Sequence, residues 1–345
     1  MLIKDLSNIS GVSGDEKAVR DFIKSSLKSK NLKIETDSMG NLLVYKKGKV
    51  SSSVPRLMLC AHMDEVGLMV TSIEKSGHLR FKKVGGIDDR VLVAKAVLIG
   101  DEKIPGIIGA KAIHLQRPEE RKKPFEVDTL LIDIGAKNNK DAAKIVKVGD
   151  YASFDTKCIS IGDNYLMGKA FDDRAGCAAL IELLNTDDLP SFCGAFTVQE
   201  EVGLRGARVA SYTVKPDLAL VLEGTSAADV PDKDEHLEAT SLGSGPALSF
   251  MDSSVIVNRE LLENLILCAE DNNIPYQLRR FTGGGTEAGS IQASRSGVKT
   301  AVISVPTRYI HSPASVIKES DYNQLIELAG NFLEEKNIKK LRNLL

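Results

Sequence analysis

Residues 56–67 read Arg-Leu-Met-Leu-Cys-Ala-His-Met-Asp-Glu-Val-Gly. From Arg56 to Ala61 the run is apolar and bounded by loop residues, the pattern of a strand buried on both faces of a sheet. It leads straight into His62, Met63 and Asp64. Three more predicted strands end in the same manner. Ala195–Val198 runs into Gln199-Glu200-Glu201, Leu218–Leu222 into Glu223, and Thr300–Val305 reaches His311 after a short loop. In open parallel α/β sheets ligands bind beyond the carboxyl ends of the strands. Asp172 and Asp173 follow Gly168 and precede a helix predicted over Arg174–Leu184. Assembled in this way, His62, Asp172, Glu200, Glu201, Glu223 and His311 converge on one cleft.

Around these segments strands alternate with helices. Val19, Phe22, Ile23 and Leu27 repeat at helical spacing over 15–29, with Ser13 and Glu16 as an expected capping box. Asn258 is expected to cap a helix running to about Glu270, and Ser320 to cap a last one. Leu32–Thr36, Asn41–Tyr45 and Gln277–Phe281 read as further strands. Between Gly67 and about Ile159 the texture changes to short β-like runs (Leu68–Ile73, Val91–Ile99, Lys103–Ile108, Leu130–Ile134, Tyr151–Phe154) punctuated by glycines. The expected fold class is α/β, a mostly parallel central sheet with helices on both faces, interrupted by a small inserted β-barrel-like domain. The expected division is 1–66 with 160–345 as one domain and 67–159 as the insert.

Composition narrows the functional classes. The 345 residues carry a net charge of -2, which argues against a nucleic-acid polyanion as partner. No apolar run approaches the roughly 20 residues of a membrane helix, and the start Met-Leu-Ile-Lys-Asp-Leu lacks the pattern of a signal peptide. Five cysteines form no CxxC pair, so neither a disulfide framework nor a thiolate metal knuckle is expected, and the expected setting is a reducing cytoplasm. Cys60 is expected to be a buried packing thiol. His78, His114 and His236 lie in polar segments and are expected at the surface.

So many carboxylates on one cleft raise one another's pKa, and divalent cations offset that cost. Imidazole with carboxylate suits zinc, cobalt or manganese. Five ligands for two ions require one to bridge; three ligand carboxylates and a bridging hydroxide balance the charge of two ions. Asp64 faces the same side of an extended strand as His62 and is placed to hydrogen-bond its free ring nitrogen. Of the neighbours Glu200 and Glu201, one would ligate metal and the other act as general base. Taken singly, each of these features has a plain explanation as solvated surface or a helix cap; their joint occurrence is what points to a metal centre. The segment Thr282-Gly283-Gly284-Gly285-Thr286 lacks the Gly-Lys-Ser/Thr ending of a phosphate loop and fits a close approach of backbone to substrate or metal shell.

The segments 61–67 (Ala-His-Met-Asp-Glu-Val-Gly), 168–174 (Gly-Lys-Ala-Phe-Asp-Asp-Arg), 198–207 (Val-Gln-Glu-Glu-Val-Gly-Leu-Arg-Gly-Ala), 283–289 (Gly-Gly-Gly-Thr-Glu-Ala-Gly) and 306–313 (Pro-Thr-Arg-Tyr-Ile-His-Ser-Pro) span nearly the whole chain. In this order the sequence resembles the tetrahedral-type (TET) cytosolic dinuclear metallo-aminopeptidases, some called glutamyl aminopeptidases and others carrying an endoglucanase label. The resemblance implies that His62 and Glu223 hold one metal, Glu201 and His311 the other, and that Asp172 bridges. It implies Glu200 as general base and Asp64 as the partner of His62. A hydroxide bridging two divalent ions (zinc or cobalt, with manganese also suited) would attack the first peptide bond of a peptide substrate. The inserted domain would mediate dimerisation, and many members build a hollow dodecamer from six dimers. Glu223 and Glu287 stand where many members have Asp. Two other readings stay open at this stage: a glycoside hydrolase using two opposed carboxylates without metal, and a catalytically idle peptide-binding assembly. The side-chain preference is left to pocket walls expected from loops including residues 241–254 and 282–290.

Overall fold

The computed structural model describes residues 1–48, 55–231, 239–334 and 337. Helices α1 (Leu2–Ser7) and α2 (Lys17–Ser26) precede strands β1 (Leu32–Thr36) and β2 (Leu42–Lys46), and the apolar run at 56–61 becomes β3 (Leu57–His62). Next come β4 (Gly67–Ile73), β5 (Leu79–Val84), β6 (Ala96–Ile99), β7 (Ile104–Gly109), β8 (Leu131–Asp133), the single turn α3 (Asn139–Ala142) and β9 (Tyr151–Phe154). Strands β10 (Ile159–Ile161) and β11 (Tyr165–Gly168) lead to α4 (Phe171–Asn185), β12 (Phe192–Thr197), α5 (Arg205–Val214) and β13 (Leu218–Ser226). The chain finishes with β14 (Ala247–Leu248), α6 (Arg259–Asp271), β15 (Gln277–Leu278), α7 (Glu287–Gln292), β16 (Lys299–Thr307), β17 (Ser315–Lys318) and α8 (Glu319–Phe332).

Eight strands form one sheet in the order β1-β2-β12-β3-β13-β16-β14-β15. Its middle, β12, β3, β13 and β16, is parallel throughout, while β2 joins β12 and β14 joins β16 antiparallel. Every residue of β3 and β12 is buried, which is why both segments are continuously apolar instead of alternating. Helix α4 covers β3 and β13 on one face, with α1 and α8 against it and α6 against α8; α5 and α7 pack on each other and cover the opposite face over β12 and β13. Burial of each Leu, Ile, Val or Phe in such a core stabilises the fold by about 1.5–3 kcal/mol.

Strands β4, β5, β8, β7, β6 and β9 close a barrel, so the insert is the small barrel expected. It has its own apolar core, including Leu68, Val70, Phe81, Ile99 and Ile132, distinct from the cluster around the large sheet. Closure leaves the barrel without a free edge. The expected strand at Val91–Ile99 is shorter, because Asp88 accepts the Arg90 amide (2.9 Å) and winds Asp89–Val91 into a 3-10 turn; strand begins only at Ala96. Among the described residues no helix is long and apolar enough to cross a membrane.

Two expected caps are replaced. Asn258 does cap α6, accepting the Leu261 amide at 3.0 Å. Ser320 instead lies inside α8, whose cap position is Lys318. Ser13 and Glu16 make no capping box: α2 starts after Glu16 without a side-chain cap, the Ser13 hydroxyl donating to Asp64 and Glu16 Oε1 accepting the amides of Gly14 and Gln199.

Candidate active site

The sheet's carboxyl-end rim gathers the predicted residues. His62 is the last residue of β3, and Glu200 and Glu201 follow β12. Glu223 lies within β13 opposite Ser304 of β16, three residues before the strand ends, where the sequence places it just after the strand. His311 follows β16, and Asp172 sits at a non-helical kink at the start of α4, joined to Asp173 by a cis peptide. Gly224 makes this packing possible, since a Cβ there would come within 2.9 Å of the Asp172 Cβ. Ala170, Gln199 and His311 all have left-handed backbones (φ 55°) beside the cleft, the kind of strain that clusters at functional sites.

Asp172 stands between the two histidines. Its Oδ1 is 3.2 Å from His62 Nε2 and its Oδ2 is 3.2 Å from His311 Nε2. His311 Nε2 is also 3.3 Å from Glu201 Oε2. Glu200 Oε2 lies 4.0 Å from His62 Nε2. Ligand-type atoms of His62, Asp172 and Glu223 lie within 4.8 Å of one another, and so do those of Asp172, Glu201 and His311. A third such group is His62, Glu200 and Glu201.

The electrostatics are those of crowded acids. Burial raises Glu200, Glu201 and Glu223: Glu201 goes to about 7, and Glu200 and Glu223 go well above the carboxylate range. The imidazoles pull Glu200 and Glu201 partly back. Burial alone would raise Asp172, yet its hydrogen bonds to His311 and His62 outweigh it and hold the carboxyl well below its ordinary value. Burial alone would depress both histidines; contacts with Asp172, Asp64 and Glu200 instead raise His62 well above its usual value. Asp172 and Glu201 lift His311 to about 9. Two buried carboxylate oxygens, Glu201 Oε1 and Glu223 Oε2, have no hydrogen-bond partner among the described residues. Acceptors left unpaired beside imidazole nitrogens are what a divalent cation satisfies, so the donor set fits a metal site.

Behind the cleft Asp64 is fully buried and organises three elements. Its Oδ1 accepts the Glu200 amide (2.9 Å), and its Oδ2 accepts the Glu201 amide (3.1 Å) and the Ser13 hydroxyl (2.6 Å). The Asp64 carbonyl oxygen is 3.1 Å from His62 Nδ1 and its Oδ1 3.5 Å from the same nitrogen. The ring is therefore held from behind by both backbone and carboxylate of Asp64. Glu200 and Glu201 do not form an extended pair: both amides turn toward one carboxylate, after the left-handed Gln199. Asp173 accepts the Gly176 amide (2.9 Å) as a helix cap and the His62 amide (3.1 Å).

Several residues of this support escaped the sequence reading. Glu16 accepts the Gln199 amide at 3.2 Å, fixing the turn before Glu200. Lys169 Nζ donates to both Glu65 oxygens (2.6 and 2.7 Å), and Arg174, fully buried, donates to carbonyls of Met63, Leu6 and Ile9. Lys169 and Arg174 lie in the 168–174 segment, but nothing local names their partners. Cys60 is buried and donates to Glu287 Oε2, while Thr197 donates to Glu287 Oε1. Glu287 thus lies beneath the rim, bonded to strand residues. His78 is half-buried and His114 exposed, both outside the cleft, and His236 lies outside the described residues. Ser249 and Gly283–Gly285 line the cleft, so both loops expected as pocket walls contribute to it.

Residues 40–328 match the family described as M42 glutamyl aminopeptidase. The chain is 33% identical to the lysyl aminopeptidase of Pyrococcus furiosus, over 97% of this chain and 96% of that one. It superposes on the TET aminopeptidase of the archaeon Thaumarchaeota SCGC AB-539-E09 with a TM-score of 0.92 at 35% identity, covering 100% and 98% of the two chains. It likewise matches the Pyrococcus horikoshii TET1 peptidase, which can assemble into a tetrahedron or a large octahedral shell (TM-score 0.85, 34% identity, 96% and 98% covered). The family is one of peptide hydrolases, which removes the glycoside-hydrolase and idle-scaffold alternatives. Matched over residues 40–328 by the family and over its whole length by the fold of a TET aminopeptidase, this chain belongs to the M42 glutamyl aminopeptidase family.

Proposed function

We propose that the protein is a dinuclear metal-dependent aminopeptidase that removes the N-terminal residue of peptides in the cytoplasm. His62 and Glu223 would hold one divalent ion, Glu201 and His311 the other, and Asp172 both. The observation that carries this reading is Asp172, whose two oxygens each face a different imidazole at 3.2 Å. When bound, such ions polarise the scissile carbonyl and make water acidic enough to supply a nucleophile near neutral pH. Zinc, cobalt and manganese all suit the donor set.

The chain's own residues do the rest. Among the described residues lining the cleft, Glu200 is the acid left over once five ligands are assigned. Its carboxylate takes the proton of the attacking water and returns it to the leaving amine nitrogen. Burial raises its pKa, with Glu201 and Asp172 adding to the rise and His62 opposing it, which suits a group that must both accept and donate. Asp64 and Glu16 keep the 199–201 turn in place while this happens. Chelation should abolish turnover of aminoacyl p-nitroanilides, and added zinc or cobalt should restore it; turnover that survives metal removal overturns the reading.

The division into a catalytic domain (1–66 and 160–345) and an inserted domain (67–159) goes with a second part of the proposal, that the insert mediates self-association into dimers and larger shells. Ile113 and Leu115 of the insert are 69% and 61% exposed, apolar surface that a partner copy would cover. A single 37.3 kDa species in size-exclusion chromatography with light scattering would overturn this part.

A further inference from the structure

Residues 6–16 bond to all three segments that bring His62, Asp172 and the pair Glu200 and Glu201 to the rim. Toward His62, the Gly11 amide donates to Glu65 Oε1 (2.9 Å), the Glu65 amide donates to the Gly11 carbonyl (3.0 Å), and the Ser13 hydroxyl donates to Asp64 Oδ2 (2.6 Å). Toward Asp172, the Ser7 hydroxyl donates to the Lys169 carbonyl (2.6 Å), and Arg174 Nη1 donates to the carbonyls of Leu6 (2.8 Å) and Ile9 (2.9 Å). Toward Glu200, Glu16 Oε1 accepts the Gln199 amide (3.2 Å) together with the Gly14 amide (2.6 Å). The segment is itself tied down. Leu6, Val12, Ser13 and Glu16 are buried. The inserted barrel holds it as well: the Ser153 hydroxyl of β9 donates to the Ser10 hydroxyl (2.7 Å), and the Tyr151 hydroxyl fills the space that a Cβ on Gly14 would need.

We propose that residues 6–16 form a positioning strap, in which Ser13 and Glu16 fix where His62, Glu200 and Glu201 stand relative to Asp172 while touching neither substrate nor metal. This deepens the aminopeptidase reading and rests on it. The three segments also bond to one another through Asp64 and Glu65. What the strap adds is a common frame: because its backbone is continuous, a shift of one segment against it is a shift against the other two. Ligands and a base must be held within about 0.5 Å of their productive arrangement, and a misplacement of about 1 Å can cost catalysis roughly 100-fold. The two anchors act at different atoms. Ser13 orients the Asp64 carboxylate, which in turn meets the His62 ring and the amides of Glu200 and Glu201. Glu16 holds the amide of Gln199, the left-handed residue (φ 55°) at which the chain turns to present both acids. Loss of either anchor leaves every ligand and the base chemically intact and changes only where they stand.

The test uses the full-length, zinc-loaded protein with the p-nitroanilides of Leu, Glu and Lys. Ser13→Ala and Glu16→Ala should each lower kcat about 10-fold with KM little changed. Each should also weaken zinc binding, titrated calorimetrically into the metal-free protein, by about 10-fold, the low end for losing a ligand's orienting partner. Glu16→Gln should recover most of the loss, because its amide oxygen still accepts the Gln199 and Gly14 amides. Asn258→Ala is the comparison: it removes the cap of α6 and should lower the melting temperature with kcat and zinc affinity intact. Circular dichroism shows which variants are folded; if either alanine variant is not, Ser13→Cys, a weak donor, or Glu16→Asp, one methylene short, takes its place. Wild-type kcat and zinc affinity in the Ser13 and Glu16 variants, or a Glu16→Gln no better than the shorter side chains, overturns the strap and leaves the aminopeptidase reading standing. A wild type that cleaves none of the substrates overturns that reading, and the strap then stands or falls on zinc affinity alone.

Discussion

Asp64 holds the backbone of Glu200: its Oδ1 accepts the Glu200 amide at 2.9 Å, across 136 residues of sequence. The same carboxylate receives the Glu201 amide and the Ser13 hydroxyl and lies against the His62 ring. Burial would raise its pKa, but the hydrogen bonds from His62, Ser13 and Glu200 outweigh burial and keep it ionised. Asp64→Asn places a donor where acceptors are needed. It should lower kcat and weaken metal binding by about 10–100-fold, the usual cost of losing a ligand's orienting partner. Steady-state kinetics with metal titration reads both; wild-type values in both would show that Asp64 orients nothing.

Glu200 makes a different prediction. Glu200→Gln keeps shape and removes the proton acceptor. Turnover should fall about 100-fold or more while bound metal stays at the wild-type level. Elemental analysis beside kinetics separates the two quantities. Unchanged turnover, or loss of metal in step with activity, would remove Glu200 from the role of base.

Asp172→Ala removes both oxygens that lie between His62 and His311. Bound metal should drop below two ions per chain, with activity lost alongside. Two ions retained by elemental analysis would mean that Asp172 is no bridge.

Lys169 concerns stability instead of chemistry. Lys169→Met strands Glu65 in a buried site, leaving it the Gly11 amide (2.9 Å) and a 3.5 Å contact with Arg174. Breaking such a pair from one side costs about 3–5 kcal/mol, visible as a lower melting temperature. Burial holds the Lys169 ammonium down to about 8, from 10.5 when unfolded, with Glu65 opposing the fall. Between those values the unfolded chain binds the extra proton, so this group makes stability rise with pH. The gap between wild type and Lys169→Met should therefore widen from pH 8 to 10.5; a gap that narrows contradicts the assignment.

Much of this was legible in the chain itself. Runs such as Arg56–Ala61 and Leu218–Leu222 are apolar at every position, which only a strand covered on both faces requires. Acids and histidines placed where such runs stop mark the rim of a parallel sheet. That reasoning reaches His62, Asp64, Asp172, Glu200, Glu201, Glu223 and His311 without coordinates, because each is read against its immediate neighbours. The alternation of strands with helices, and its break between Gly67 and Ile159, likewise carry the sheet and the inserted barrel.

Ser13 and Glu16 show where local reading stops. Their spacing is that of a capping box, and a free helix would use it so. In the folded chain the Ser13 hydroxyl lies 2.6 Å from an ionised, buried carboxylate 51 residues away, and Glu16 accepts the amide of Gln199. A charge-assisted bond in a dry interior outcompetes a solvated helix terminus. The same holds for Lys169 with Glu65, paired in the interior across 104 residues of sequence. Which residue types reach the rim is readable along the chain, since burial patterns are written strand by strand. Which of them face each other emerges in the folded molecule alone, because a hydrogen-bond partner is chosen by distance and dehydration, and neither is encoded in spacing along the chain.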